Sequence, residues 1–199
     1  GVGPHPQPWP TGSQYDPELL ENGDRRNVLD HYRYWSVAAI VADLNSKRHK
    51  LQIAIENWQH DLNIGSVVRT ANAFNVSMVH IIGKRDWNKR GAMVTDRYLH
   101  VLHHPTVADF AAWCKEYEVP IIGIDNVPGC KKIEEYVLPE SCVLLFGQEG
   151  PGLSEAALSA SDVILEISQF GSTRSINASA AAAIAMHSWV ETHVFKRHL

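Results

Sequence analysis

The chain has no run of about 18 apolar residues, the length a membrane-crossing helix requires, so no transmembrane helix is expected. Its N-terminus starts at Gly1 rather than Met and reads as a processed or trimmed product; it lacks the basic and apolar pattern of a signal peptide. Cysteine is scarce: Cys114, Cys130 and Cys142 are irregularly spaced, odd in number and without a CxxC pair. That pattern argues against a disulfide framework and for reduced, structural thiols in a cytoplasmic protein. Positive charge is not in excess either, with a net charge of −4 over 199 residues. Nucleic-acid binders usually carry a surplus of Lys and Arg, because phosphate neutralisation dominates their affinity. Here the basic residues are local, at 47–50, 84–85, 89–90 with Arg97, and 131–132. A solvated surface explains each cluster alone; RNA binding is permitted by them and not demanded.

Two further absences narrow the chemistry. No Gly-x-Ser-x-Gly elbow surrounds Ser154 or Ser179, which argues against a serine hydrolase. His100, His103 and His104 lack a partner set for a metal, and none is expected.

The chain is 45% hydrophobic and 20% charged, ordinary values for a globular domain with a sizeable core. Residues 1–24, with Pro4, Pro6, Pro8, Pro10 and Pro17, read as an extended N-terminal arm, and residues 25–199 as one domain. The spacing of Trp35, Ala38, Ala39 and Ala42 predicts a helix over about 27–45. Beyond it, short apolar runs at 51–55, 78–82, 120–124, 142–146 and 163–167 read as strands. They alternate with helical patterns at 64–74 and 107–117 and from about 154 and 177, with a short segment near 133–136. The fold class expected is α/β, a mostly parallel sheet flanked by helices. Ligands in such folds sit beyond the carboxyl ends of strands, which directs attention to the loops after residues 55, 146 and 167.

Three segments in those loops carry candidate chemistry. Phe146-Gly147-Gln148-Glu149-Gly150-Pro151-Gly152 leaves a strand, and its glycines let a ligand approach the backbone. Leu153 stands where a phosphate-binding loop would place its lysine, so a nucleotide triphosphatase is not supported. Asn63-x-Gly65-x-x-x-Arg69 puts Asn63 and Arg69 under about two helical turns apart, within reach of one pocket. Ser175-Ile176-Asn177-Ala178-Ser179 opens a helix whose alanines favour close packing. Structural readings stand beside each: a tight turn, an N-cap with a surface arginine, and a second N-cap.

Taken in chain order, 63–69, 146–152 and 175–179, the three segments resemble the signature motifs of the TrmH (SpoU) family of SPOUT-class RNA ribose 2′-O-methyltransferases, over roughly residues 50–195. The resemblance implies a C-terminal trefoil knot over about 142–183, a homodimer, an RNA substrate and S-adenosylmethionine as cofactor. It implies cofactor contacts at Phe146, Gly147, Gly150, Gly152, Ile167 and Ile176, with residues 169–174 wrapping around the cofactor. It implies a catalytic and RNA-facing set of Asn63, Arg69, Glu149, Ser175 and Asn177. Arginine's pKa excludes easy deprotonation, so Arg69 is expected to orient phosphate and stabilise a developing alkoxide. The compact form favours transfer RNA over ribosomal RNA as substrate. The alternatives are a non-catalytic knotted RNA-binding or assembly factor and a small-molecule methyltransferase. Three departures from the family pattern stand out: Ser168 follows Ile167 where proline is common, Asn75 replaces a glycine, and Ile176 replaces leucine.

Overall fold

A computed structural model describes residues 1–59 and 63–197. Seven strands form one sheet in the order β3-β2-β1-β6-β4-β7-β5. They are β1 (His49–Asn57), β2 (Val76–Gly83), β3 (Val101–His104), β4 (Ile121–Ile124), β5 (Lys131–Lys132), β6 (Cys142–Phe146) and β7 (Val163–Glu166). Every neighbouring pair is parallel.

A parallel sheet must be covered on both faces, and alternation along the strands shows how. In β6, Cys142, Leu144 and Phe146 join the core beneath α3 (Asn63–Ala73) and α6 (Ala178–His193). The intervening Val143 and Leu145 join the core beneath α4 (Val107–Glu116) and α5 (Glu155–Ala160). The expected α/β class is therefore observed as a three-layer arrangement. Fully buried Ala182 and Ala185 present small side chains on α6, which packs against α3. Chain order reverses at β1, with β2 on one side and β6 on the other, a point where such sheets place their ligands.

The N-terminal region differs from its sequence reading. Within the proline-rich arm lies a six-residue helix, α1 (Pro17–Asn22), capped by the Asp16 carboxylate. The arm is tied back by bridges Val2↔Asp24 and Tyr15↔Trp35. Asp24 is fully buried and accepts from the Arg26 guanidinium at 2.7 Å and the Tyr34 amide at 3.0 Å. Burial alone would raise its pKa, but Arg26 and those amides hold it well below the usual carboxylate range. The helix expected over 27–45 is divided into a single 3-10 turn at Asp30–Tyr32 and α2 (Val37–Asn45), because Tyr34 takes a left-handed φ of 64° and Ser36 caps the next helix.

The departure at Asn75 has a local cause. Its φ of 49° is left-handed, a conformation asparagine tolerates better than most residues. Its side chain also donates to the Lys47 carbonyl at 3.1 Å and accepts from Arg48 at 3.2 Å, which glycine could not do.

All three cysteines are free thiols, and burial pushes Cys114 and Cys142 up to about 12, so both are unreactive at neutral pH. No helix among the described residues is long and apolar enough to cross a membrane.

Candidate active site

A cleft of about 640 Å³ opens beyond the carboxyl ends of β4, β6 and β7. Three loops form it: residues 125–127 after β4, 147–153 after β6, and 167–178 between β7 and α6. Phe146, Gly147, Gly150, Gly152, Ile167 and Ile176, the expected cofactor residues, all line it. Glu149, Ser175 and Asn177 line the same cleft, whereas Asn63 and Arg69 do not.

The 147–153 loop is shaped by its own backbone. Gln148 and Gly152 form a bridge, with the Gly152 amide donating to the Gln148 carbonyl at 3.0 Å. A Cβ on Gly147 would stand 2.1 Å from the Gly152 carbonyl carbon and oxygen and 2.3 Å from the Leu153 nitrogen. The glycine is required by the turn itself, before any ligand is considered. Gly152, at φ 71°, lies against the Asp125 carboxylate.

Two carboxylates hold the end of this loop. Asp125 accepts from the Leu153 amide at 2.8 Å. Glu56, 1% exposed near the end of β1, accepts from the Ser154 amide at 2.8 Å and the Ser154 hydroxyl at 2.6 Å. Ser154 in turn caps α5. The sequence reading missed Asp125, Glu56 and the loop after β4. Asp125 was findable: it directly follows the apolar run 120–124, where the strand-end rule applies.

Asn63, Glu149 and Asn177 come from three separate segments and meet at one point. The Asn63 amide donates to Glu149 Oε2 in a short hydrogen bond. The Asn177 amide contacts Asn63 Oδ1 at 3.1 Å and Glu149 Oε1 at 3.3 Å. Asn177 Oδ1 simultaneously accepts from the Ser179 and Ala180 amides, so its capping role and its place in this cluster coexist. Ser175 is exposed, and its hydroxyl has no hydrogen-bond partner among the described residues. Arg69 projects from α3 into solvent, with no hydrogen bond or ion pair among the described residues.

The 167–177 loop is anchored at both ends. The Ser168 amide and hydroxyl each donate to Glu134 at 3.0 Å. Proline offers neither donor, which gives the departure at 168 a physical role. Burial would raise Glu134, but the backbone and Ser168 bonds outweigh it and lower its pKa. At the far end, Asn126 donates to the Arg174 carbonyl at 2.8 Å. Between them Gln169 lines the cleft, and its side-chain oxygen is buried without a partner among the described residues.

His80, His100, His103 and His104 each make a hydrogen bond within the fold. His80 and His104 share a 2.9 Å contact, and His80 also bonds Gln52 at 2.7 Å. His103 bonds the Gly83 carbonyl, and His100 bonds Asn45. Among the described residues no group of three His, Cys, Asp or Glu could hold a metal.

A profile of the SpoU rRNA Methylase family matches residues 50–187. The tRNA (guanosine(18)-2′-O)-methyltransferase of Escherichia coli K12 is 28% identical over 156 residues, covering 75% of this chain and 67% of that protein. Two solved structures share the fold. The A. aeolicus TrmH/SpoU tRNA modifying enzyme has a TM-score of 0.70 at 18% identity, covering 80% of this chain and 83% of that one. The SpoU methyltransferase AviRb from Streptomyces viridochromogenes, in complex with AdoMet, has a TM-score of 0.67 at 22% identity. That match covers 77% of this chain but 64% of AviRb, so the chain spans under two thirds of its length.

Proposed function

We propose, from the premise that the chain belongs to the SpoU rRNA Methylase family, that it methylates a ribose 2′-hydroxyl of RNA using S-adenosylmethionine. The observation that carries this reading is the meeting of Asn63, Glu149 and Asn177 beside a cleft walled by loop backbone. A structural turn with an N-cap needs none of that convergence.

The cleft suits the cofactor. Its volume lies in the ordinary range for small-molecule sites, about 300–1,000 Å³. The Gln169 side-chain oxygen, buried without a partner among the described residues, is an acceptor in want of a donor. The residues that would hold the cofactor are Phe146, Gly147, Gly150, Gly152, Ile167 and Ile176, with 169–174 covering it. S-adenosylmethionine supplies a methyl group activated on a sulfonium.

The protein's share is alignment, since the attacking oxygen, methyl carbon and sulfur must stand nearly in line. Asn177 and Ser175 hold the 2′-hydroxyl, and Glu149 fixes the orientation of both asparagines. Arg69 reaches from α3 to the target phosphate and stabilises charge developing on the ribose oxygen. Its guanidinium stays protonated, so the hydroxyl proton passes to solvent water rather than to Arg69.

The same reading includes a trefoil knot over about 142–183, a homodimer, a cytoplasmic setting, and one catalytic domain of residues 25–199 preceded by an arm. Transfer RNA is the favoured substrate, in keeping with the name of the E. coli relative. Incubation with radiolabelled cofactor, followed by separation of RNA from small molecules, tests the reading. Label in RNA supports it; label confined to the small-molecule pool overturns it.

A further inference from the structure

We infer that Trp58 is a stacking platform for an unpaired base of the RNA substrate, placed beside the active site to select a splayed-out nucleotide. The inference rests on the RNA methyltransferase reading and names the form of RNA the site accepts.

Trp58 is held in place on several sides. Its indole N–H donates to the buried Glu56 carboxylate at 2.9 Å, and its backbone N–H donates to the Gln148 side chain. Its ring lies directly on Gly83, where an added Cβ would stand 2.7 Å from two ring carbons. Yet 38% of the residue faces solvent. A large aromatic ring pinned in one orientation, with part of it wet, has already lost the freedom that stacking would otherwise remove.

Its neighbours fit a nucleic acid. Gln148, which accepts from the Trp58 backbone, directly precedes Glu149 of the cluster with Asn63 and Asn177 and lines the same cleft. On its other side Asn57 donates to the Lys84 and Asp86 carbonyls at 2.8 and 2.9 Å, and the Lys84 amide donates back to Asn57 at 2.9 Å. That ties the Trp58 segment to a loop exposing Lys84, Arg85 and Arg90, none of which has an ion-pair partner among the described residues. Asp86 is the one exposed acid in that loop. An aromatic platform flanked by unpaired cations is the pattern that binds single strands, the ring taking the base and the cations the phosphates. In a duplex the bases are stacked on one another and leave no face for Trp58.

The test uses the full chain, a single-stranded RNA of about 12 nucleotides, within the footprint of one single-strand site, and the same sequence as a duplex. Trp58→Ala is expected to weaken single-strand binding about tenfold or more and leave duplex binding unchanged. Trp58→Phe keeps a ring without the indole N–H and is expected to stay within about threefold of the parent. Unchanged single-strand binding in Trp58→Ala overturns the inference. So does equal loss on both RNAs, or a phenylalanine variant as weak as the alanine one, which marks Trp58 as an anchor for Glu56. Methyl transfer to RNA by the parent chain is measured alongside. Its absence overturns the enzyme reading itself; its presence with an unchanged KM for RNA in Trp58→Ala overturns the stacking role alone.

Discussion

Replacing Gly147 by alanine separates two reasons for a glycine at that position. If glycine merely leaves room for a ligand, alanine removes cofactor affinity and leaves the free protein untouched. The geometry predicts otherwise. The new methyl would stand 2.1 Å from the Gly152 carbonyl, where real Cβ atoms keep at least 3.0 Å, so that backbone must recede by about 0.9 Å. The shift pulls the Leu153 amide off Asp125, now at 2.8 Å, and the Gly152 amide off Gln148, now at 3.0 Å. A hydrogen bond left unmade at a buried group costs about 1–3 kcal/mol. With partial relaxation the two together should cost about 2–4 kcal/mol, or a fall in Tm on the order of 10 °C for a chain this size. The assay is thermal and urea unfolding without cofactor, with calorimetric titration of S-adenosylmethionine in parallel. Gly147→Ala should lose stability before any ligand is added, and lose cofactor affinity as well. Parent-like unfolding with affinity abolished would refute the reasoning and restore simple exclusion of the ligand.

Other outcomes follow from the same structure. Arg69→Ala should slow methyl transfer by about 10²–10³-fold, the scale of a lost charge-stabilising donor, while cofactor affinity measured by calorimetry stays near normal because Arg69 does not line the cleft; near-normal turnover would remove Arg69 from the mechanism. Burial depresses His80 to about 3, with His104 beside it lowered in the same direction, so both are neutral in the folded state at neutral pH. Below about pH 6.5 the unfolded chain takes up protons that the folded chain refuses, so stability falls with pH by about 1.4 kcal/mol per unit from His80 alone until its folded-state value is reached. Urea unfolding between pH 7 and 5 should show a loss of about 2 kcal/mol or more, and His80→Leu should flatten the slope; a parent profile that is already flat contradicts the buried neutral pair. Ser168→Pro removes both donors to the largely exposed Glu134; it should cost about 1 kcal/mol and weaken cofactor binding by loosening the 168–174 loop, and an unchanged melting curve and affinity would show that anchor to be idle.

Much of the sheet was legible because its central strands are mostly apolar runs, interrupted by Gln52 within 51–55 and His80 within 78–82, and such runs announce a strand buried on both faces. The edge strands were not. Val101–His104 ends in two histidines, and Lys131–Lys132 is a two-residue pair of charges that reads as surface. The packing of the N-terminal arm was not legible either, for a different reason. Its order comes from Asp24, Arg26 and Tyr34 and from the pairing of Tyr15 with Trp35, contacts that no local pattern reveals. At the site, the glycine loop and both asparagines were visible as motifs. The Glu56 support was hidden, since a carboxylate near a strand end looks like any other polar residue until the amide it binds is in place, whereas Asp125 was marked by its position directly after the run 120–124.

The central claim is that this cleft serves methylation of ribose rather than of a base or a small metabolite. Nucleoside mass spectrometry on RNA treated with the protein and isotope-labelled S-adenosylmethionine tests it most directly. One labelled nucleoside is expected, its extra methyl fragmenting with the ribose. A labelled base, or unlabelled RNA beside a labelled small molecule, would contradict it.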